Sequence, residues 1–230
     1  MRIHYLQHIE YENLANMLAW LKKRKHKLTN TLLYEKQELP EISSFDWLIV
    51  MGGPMNIYEH KKYPWLIKEK QFIKNAVKAG KKVLGICLGA QLLSACLDGD
   101  VTKNKYKEIG FFPVKLTKKG KQSKIFKGLL QEFTVMHWHG DTFSTPRGAK
   151  ALAMSKGCRN QAFSYQNRAF GLQFHFEYSP KHIKKFFKDP QNALKPEKYV
   201  QSASEILKNT KGYQQINSVM KRILSNLEKI

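Results

Sequence analysis

The 230-residue chain has no apolar run approaching the roughly 20 residues that cross a bilayer, so no membrane-spanning helix is expected. Its opening residues, Met1-Arg2-Ile3-His4-Tyr5, have neither the apolar stretch nor the small-residue cleavage site of a secretory signal. Both absences point to a cytoplasmic protein. Cysteine is scarce: Cys87, Cys96 and Cys158 are too few and too irregularly spaced for a disulfide framework, and none forms a C-x-x-C pair for zinc or redox work. Each thiol must be judged by its own neighbours. Acidic residues are scarce as well, with 18 Asp and Glu against 40 Lys and Arg, a net charge of +22. Such a balance suggests a polyanion partner. Arginine, the side chain suited to bidentate recognition of phosphates and bases, supplies only six of those cations, and the lysines are dispersed apart from clusters at 22–25, 115–127 and 181–188. A solvated basic surface is expected, and nucleic acid is not expected as a partner.

What is present is material for one well-buried core, with 42% hydrophobic residues, and a single domain over residues 1–230 is expected. Short apolar runs alternate with helical patterns, the signature of βαβ units and a mostly parallel sheet. The spacing predicts strands over Arg2 to Gln7, Lys27 to Tyr34, Asp46 to Met51 and Lys82 to Ile86. Helices are predicted over Glu12 to Lys25, Tyr63 to Ala79 and Leu88 to Leu97, the second stopped by Gly80. Beyond these, Ile109 to Leu116, Phe133 to Trp138, Ala149 to Met154 and Ala169 to Phe176 read as strands joined by short turns. The fold class is therefore α/β, an open, mostly parallel sheet flanked by helices with an antiparallel extension. From about 179 to 230 the chain reads as helical, interrupted near Asp189-Pro190, Lys195-Pro196 and Lys211-Gly212.

The chemistry concentrates in Gly85-Ile86-Cys87-Leu88-Gly89, where an apolar strand runs into a helix through a glycine-flanked cysteine. A nucleophile on such an elbow is exposed at the carboxyl end of its strand, and the glycines keep side chains out of a crowded turn. The helix start sets N–H groups and a dipole beside the sulfur, with Leu88 N–H as an oxyanion donor. Cys96, on an apolar helical stripe, and Cys158, in a loop beside Gly157, read as packing residues. A thiol nucleophile needs a base, and the base needs a third group to orient it. Along Gly171-Leu172-Gln173-Phe174-His175-Phe176-Glu177, strand alternation puts Gln173, His175 and Glu177 on one face, so Cys87, His175 and Glu177 supply the three roles. The turn Gly52-Gly53-Pro54 follows a strand and offers the Gly53 N–H as a second oxyanion donor. His137 and His139 share a strand face, but no cluster of cysteine or carboxylate ligands accompanies them at metal-like spacing, and completing a metal site would divert Asp141 or His175, so two strand histidines held by hydrogen bonds are expected. No metal and no cofactor are expected.

Taken together, Met51-Gly52-Gly53-Pro54, Gly85 to Gln91, His139-Gly140-Asp141 and Gly171 to Glu177 resemble the class I glutamine amidotransferases, in family order and at family-like spacing. The resemblance implies a flavodoxin-like sheet and a γ-glutamyl thioester on Cys87, with His175 as base and acid, Glu177 as orienter, and Gly53 and Leu88 as oxyanion donors. It also implies that Gln91, His139, Gly140 and Asp141 hold the amino-acid head of a small γ-glutamyl substrate. The role of Trp138, which precedes that segment, stays open. Family glutaminases usually feed ammonia to a synthetase, whereas the glutaminase-like unit here takes up all 230 residues. The expectation is an independent γ-glutamyl hydrolase. A glutaminase subunit delivering ammonia to a separate synthetase chain is the alternative, and a non-catalytic basic binding module is a third reading.

Overall fold

The computed structural model describes residues 1–189 and 192–230. Among the described residues nine strands form one sheet: β1 (Arg2–Gln7), β2 (Lys27–Leu32), β3 (Trp47–Val50), β4 (Lys82–Ile86), β5 (Val101–Leu116), β6 (Glu132–Phe143), β7 (Lys150–Met154), β8 (Ala162–Tyr165) and β9 (Ala169–Leu172). Their order is β2-β1-β3-β4-β9-β8-β7-β5-β6. Pairing is parallel from β2 through to β9 and antiparallel from β9 to β6. The helices are α1 (Asn16–Lys23), α2 (Trp65–Lys78), α3 (Leu88–Cys96), α4 (Lys118–Gln122), α5 (Pro180–Phe186), α6 (Ala203–Lys208) and α7 (Thr210–Glu228). None of the described helices is long and apolar enough to cross a membrane.

The parallel strands are covered on both faces, which is why they read as unbroken apolar runs rather than as alternating ones. In β3 and just past it, Trp47, Ile49 and Met51 pack on one face with Met17 and Leu21 of α1 and Ile223 and Leu224 of α7. Leu48 and Val50 pack on the other with Ile73 of α2 and Leu92 of α3. Gly80 sits at φ +68 just past α2 and ends that helix as predicted.

Five local expectations are corrected. Helix α1 starts at Asn16 rather than Glu12: Asn13 Oδ1 accepts the Ala15 N–H at 2.9 Å, a local turn that competes with helix, and Ala15 takes φ 45. Strand β5 begins at Val101, eight residues before the predicted start, because its outer arm carries lysines and other polar side chains and so lacks an apolar period. Strand β8 has no counterpart among the predicted strands, since four residues are too short to show alternation. The segment 179–230 is not helical throughout. Before α6 the described residues 193–202 form no helix and are held by an extended pairing in which Ile109 N–H donates to Tyr199 O and Gln201 N–H to Ile109 O, both at 2.9 Å. The break placed at Lys211-Gly212 falls instead at Asn209, whose side chain caps α7 by accepting from Gly212 N–H at 2.8 Å. The break placed at Asp189-Pro190 reaches outside the described residues.

At its far end the sheet curls back. Although β6 is an outer strand, its Met136 exchanges backbone bonds of 2.7 and 3.0 Å with His175, just past β9. That return brings β6 over the carboxyl ends of β4 and β9.

Candidate active site

Strand β4 ends at Ile86, and Cys87 turns the chain into α3 with φ 51 and ψ −108, a conformation that few side-chain-bearing residues adopt. The two glycines have a packing reason. A Cβ on Gly89 would run into the Val50 carbonyl, and one on Gly85 would run into the Gly89 carbonyl and lie 2.8 Å from Ala90 N. The first N–H groups of α3 have no partner within the helix, which leaves Leu88 N–H free to face an anion.

Cys87 lies on a cavity of about 370 Å³ whose wall also includes Gly53, Gln91, His139, Gly140, Asp141 and His175. The Cys87 thiol donates to the Trp138 carbonyl, and Gln173 Nε2 donates to Sγ, both at 3.6 Å. His175 carries its Nδ1 2.6 Å from Glu177 Oε1, and the other Glu177 oxygen accepts Phe176 N–H at 2.9 Å. With Nδ1 committed to the carboxylate, Nε2 is the ring atom left for Cys87. Burial opposes charge on this ring, but the charges of nearby Glu177 and Cys87 outweigh it and raise the pKa well above the ordinary imidazole value. His175 and Glu177 lie beyond the last residue of β9, yet the Met136 bridge keeps the chain extended and preserves the alternation that pairs them.

The residues expected to hold a substrate head gather on one wall. Gln91 Nε2 donates to Gln173 Oε1 at 3.2 Å and to the Asp141 carbonyl at 3.3 Å, and Asn56 Nδ2 donates to Asp141 Oδ2 at 2.6 Å. His139 donates from Nδ1 to the Asp141 carbonyl at 2.9 Å and sets Nε2 3.2 Å from Glu108 Oε2. Trp138 stacks on Phe186 with ring centroids 5.3 Å apart, and both line the cavity.

Sequence reasoning missed several groups here. Glu12, buried, accepts from Tyr178 OH at 3.2 Å and lines the cavity, and burial raises its pKa. Tyr178 stacks on His175 at 4.6 Å. The one available signal for Glu12 was its place just past the carboxyl end of β1, where open α/β sheets put their ligand sites. Glu108 was missed too. The expectation that no cysteine or carboxylate ligand cluster accompanies His137 and His139 is corrected by one residue: Glu108 from β5 faces both, and the three ligand atoms lie within 4.8 Å of one another. Glu108 Oε1 accepts from Ser155 Oγ and Oε2 from Gln161 Nε2, each at 2.7 Å, so the group is held as a buried hydrogen-bond network behind the cavity wall.

Known proteins resemble the chain in sequence and in fold. Residues 9–189 match the family described as "Glutamine amidotransferase class-I". The glutamine amidotransferase-like protein YfeJ of Salmonella typhimurium is 31% identical over 99% of this chain and 97% of its own. One of the subunits of the glutamine-hydrolysing GMP synthase of Sulfurisphaera tokodaii is 32% identical over 72% of this chain and 84% of its own. The crystal structure of a glutamine amidotransferase from Thermotoga maritima superposes with a TM-score of 0.90 at 28% identity, over 100% of this chain and 99% of that one.

Proposed function

Because the chain belongs to the class I glutamine amidotransferases, we propose that it hydrolyses a γ-glutamyl amide through a thioester on Cys87. The observation that carries this reading is His175, held at 2.6 Å by Glu177 and lining the same cavity wall as Cys87. In the first step His175 takes the thiol proton as sulfur attacks the γ-carbonyl, and the carbonyl oxygen gathers negative charge between the N–H groups of Gly53 and Leu88. The tetrahedral intermediate collapses, the C–N bond breaks, and His175 returns the proton to the departing amine. Water then attacks the thioester with His175 again taking a proton, releasing glutamate and the free thiol. Gln91, His139, Gly140 and Asp141 hold the amino-acid head, since their wall offers both donors and a carboxylate to an α-amino acid.

An independent γ-glutamyl hydrolase is favoured. The likeness to a GMP synthase glutaminase chain supports the second reading, a glutaminase that delivers ammonia to a partner synthetase. Glutamate release from glutamine and from γ-glutamyl peptides separates the two. Peptide cleavage without added protein supports the hydrolase, while glutamine turnover that rises only with a partner supports the ammonia donor. Replacement of Cys87 by Ala should abolish release from either substrate, and undiminished release would defeat the mechanism.

A further inference from the structure

Gly52 and Gly53 follow β3 at the cavity rim, and the peptide they share is gripped from behind. His8, just past β1, has Nδ1 2.8 Å from the Gly52 carbonyl oxygen and Nε2 2.8 Å from Glu69 Oε1 on α2. Both partners are acceptors, so the ring donates from Nδ1, and a second proton is shared between Nε2 and the carboxylate. The ring and the carboxylate are buried, and His8 stacks on Trp65 with centroids 5.5 Å apart. Burial alone would keep the ring neutral, but the Glu69 carboxylate outweighs it and raises the His8 pKa.

The peptide bonds of the described residues are all trans, so the Gly53 N–H points opposite to the Gly52 carbonyl. A carbonyl tied to His8 turns that N–H away from His8, toward the cavity that Gly53 lines with Cys87. The surroundings are tight. A Cβ on Gly53 would lie 2.6 Å from Met55 Sδ, 2.9 Å from Leu88 Cδ2 and 3.0 Å from His8 Cβ, and one on Gly52 would lie 3.1 Å from His175 Cε1. We propose that His8, backed by Glu69, is a positioning residue that locks the Gly52–Gly53 peptide with its N–H facing the developing oxyanion. This rests on the γ-glutamyl hydrolase reading. Without the lock the peptide is free to flip, and a flipped peptide presents a carbonyl where negative charge must gather.

The test compares two reactions of the same sulfur. Hydrolysis of γ-glutamyl-p-nitroanilide needs an oxyanion site, whereas alkylation of Cys87 by iodoacetamide does not. In His8→Gln the amide reaches Glu69 but not Gly52. Its kcat should fall by about 10²-fold or more, with KM changed less than about threefold and Cys87 alkylation within about twofold of wild type. In His8→Asn the amide takes the place of Nδ1 and keeps the bond to Gly52, so most of the rate should return. Should His8→Gln fail to fold, Glu69→Gln serves: it leaves a neutral ring as a weaker donor, and kcat should fall about tenfold with alkylation intact. Unchanged kcat in either variant, or an equal loss of hydrolysis and alkylation, would overturn the positioning role alone. A wild type that hydrolyses no γ-glutamyl compound would overturn the functional reading and this proposal together.

Discussion

The sulfur of Cys87 has neighbours of both hydrogen-bonding senses, so the thiol can donate to Trp138 O and the thiolate can accept from Gln173 Nε2. The other two thiols are differently placed. Burial pushes the Cys96 thiol up to about 12 and also raises that of Cys158. At pH 8 only on the order of one Cys96 in 10⁴ is then a thiolate, so an electrophilic glutamine analogue should label Cys87 and spare both others. Peptide mapping by mass spectrometry reads this, and label chiefly on Cys158 would remove the case for the elbow. A second residue-scale expectation concerns acid. Burial lowers the pKa of His137 to about 3, against about 6.5 in an unfolded chain. Between those values the unfolded state binds the extra proton, so the contribution of His137 is complete above about pH 6.5 and is lost as pH falls toward 3, by roughly 3 kcal/mol at pH 4. His4, lowered to about 4 by burial, adds in the same sense. Urea unfolding from pH 7 to 4 should show this slope, and His137→Gln should flatten it; an equally steep variant would refute the assignment.

The strand-to-helix turn is the element on which the site depends, and it stores strain. Cys87 at φ 51 is in territory that glycine enters freely and other residues do not. Cys87→Gly should therefore unfold at higher urea than Cys87→Ala, by about 1 kcal/mol, although both should be inactive. Equal midpoints would mean that the turn relaxes without cost. Gly89→Ala presses a methyl group onto the Val50 carbonyl and should cost about 2 kcal/mol or more, lowering Cys87 labelling along with stability. Elements of this kind were legible in the sequence because two-sided burial writes continuous apolar runs into β3 and β4, and because a close approach writes glycine. The pairing of His175 with Glu177 was legible for a simpler reason: alternation needs only extended chain, which the Met136 bridge maintains past the end of β9. The outer arm of β5 and the late start of α1 were not, since a lysine-rich arm carries no period and the turn at Asn13 shows only in three dimensions.

At the scale of the whole molecule, the partners of the site were the least legible part. Glu12, His8, Glu69 and Glu108 come from separate stretches of chain, and no local pattern links them. Charge is the other whole-molecule feature. Among the described residues only Lys82 is a buried lysine, so the net charge of +22 is carried mainly by dispersed surface ammonium groups. Binding to a short duplex DNA should be weak, indifferent to sequence, and steeply reduced between about 50 and 200 mM salt. Nanomolar or sequence-selective binding in an anisotropy titration at physiological salt would show an organised nucleic-acid surface instead. The sheet order carries one more consequence. Strand β4, which delivers Cys87, pairs with β9, which delivers His175, and every strand of the antiparallel half lies between them in the chain, from β5 to β8. Closing so long a loop is slow, and neither the base nor the wall formed by β6 can reach the sulfur until it closes. During refolding from urea, recovery of hydrolysis should trail the return of helical circular dichroism, making the reactive thiol a clock for the last strand to dock.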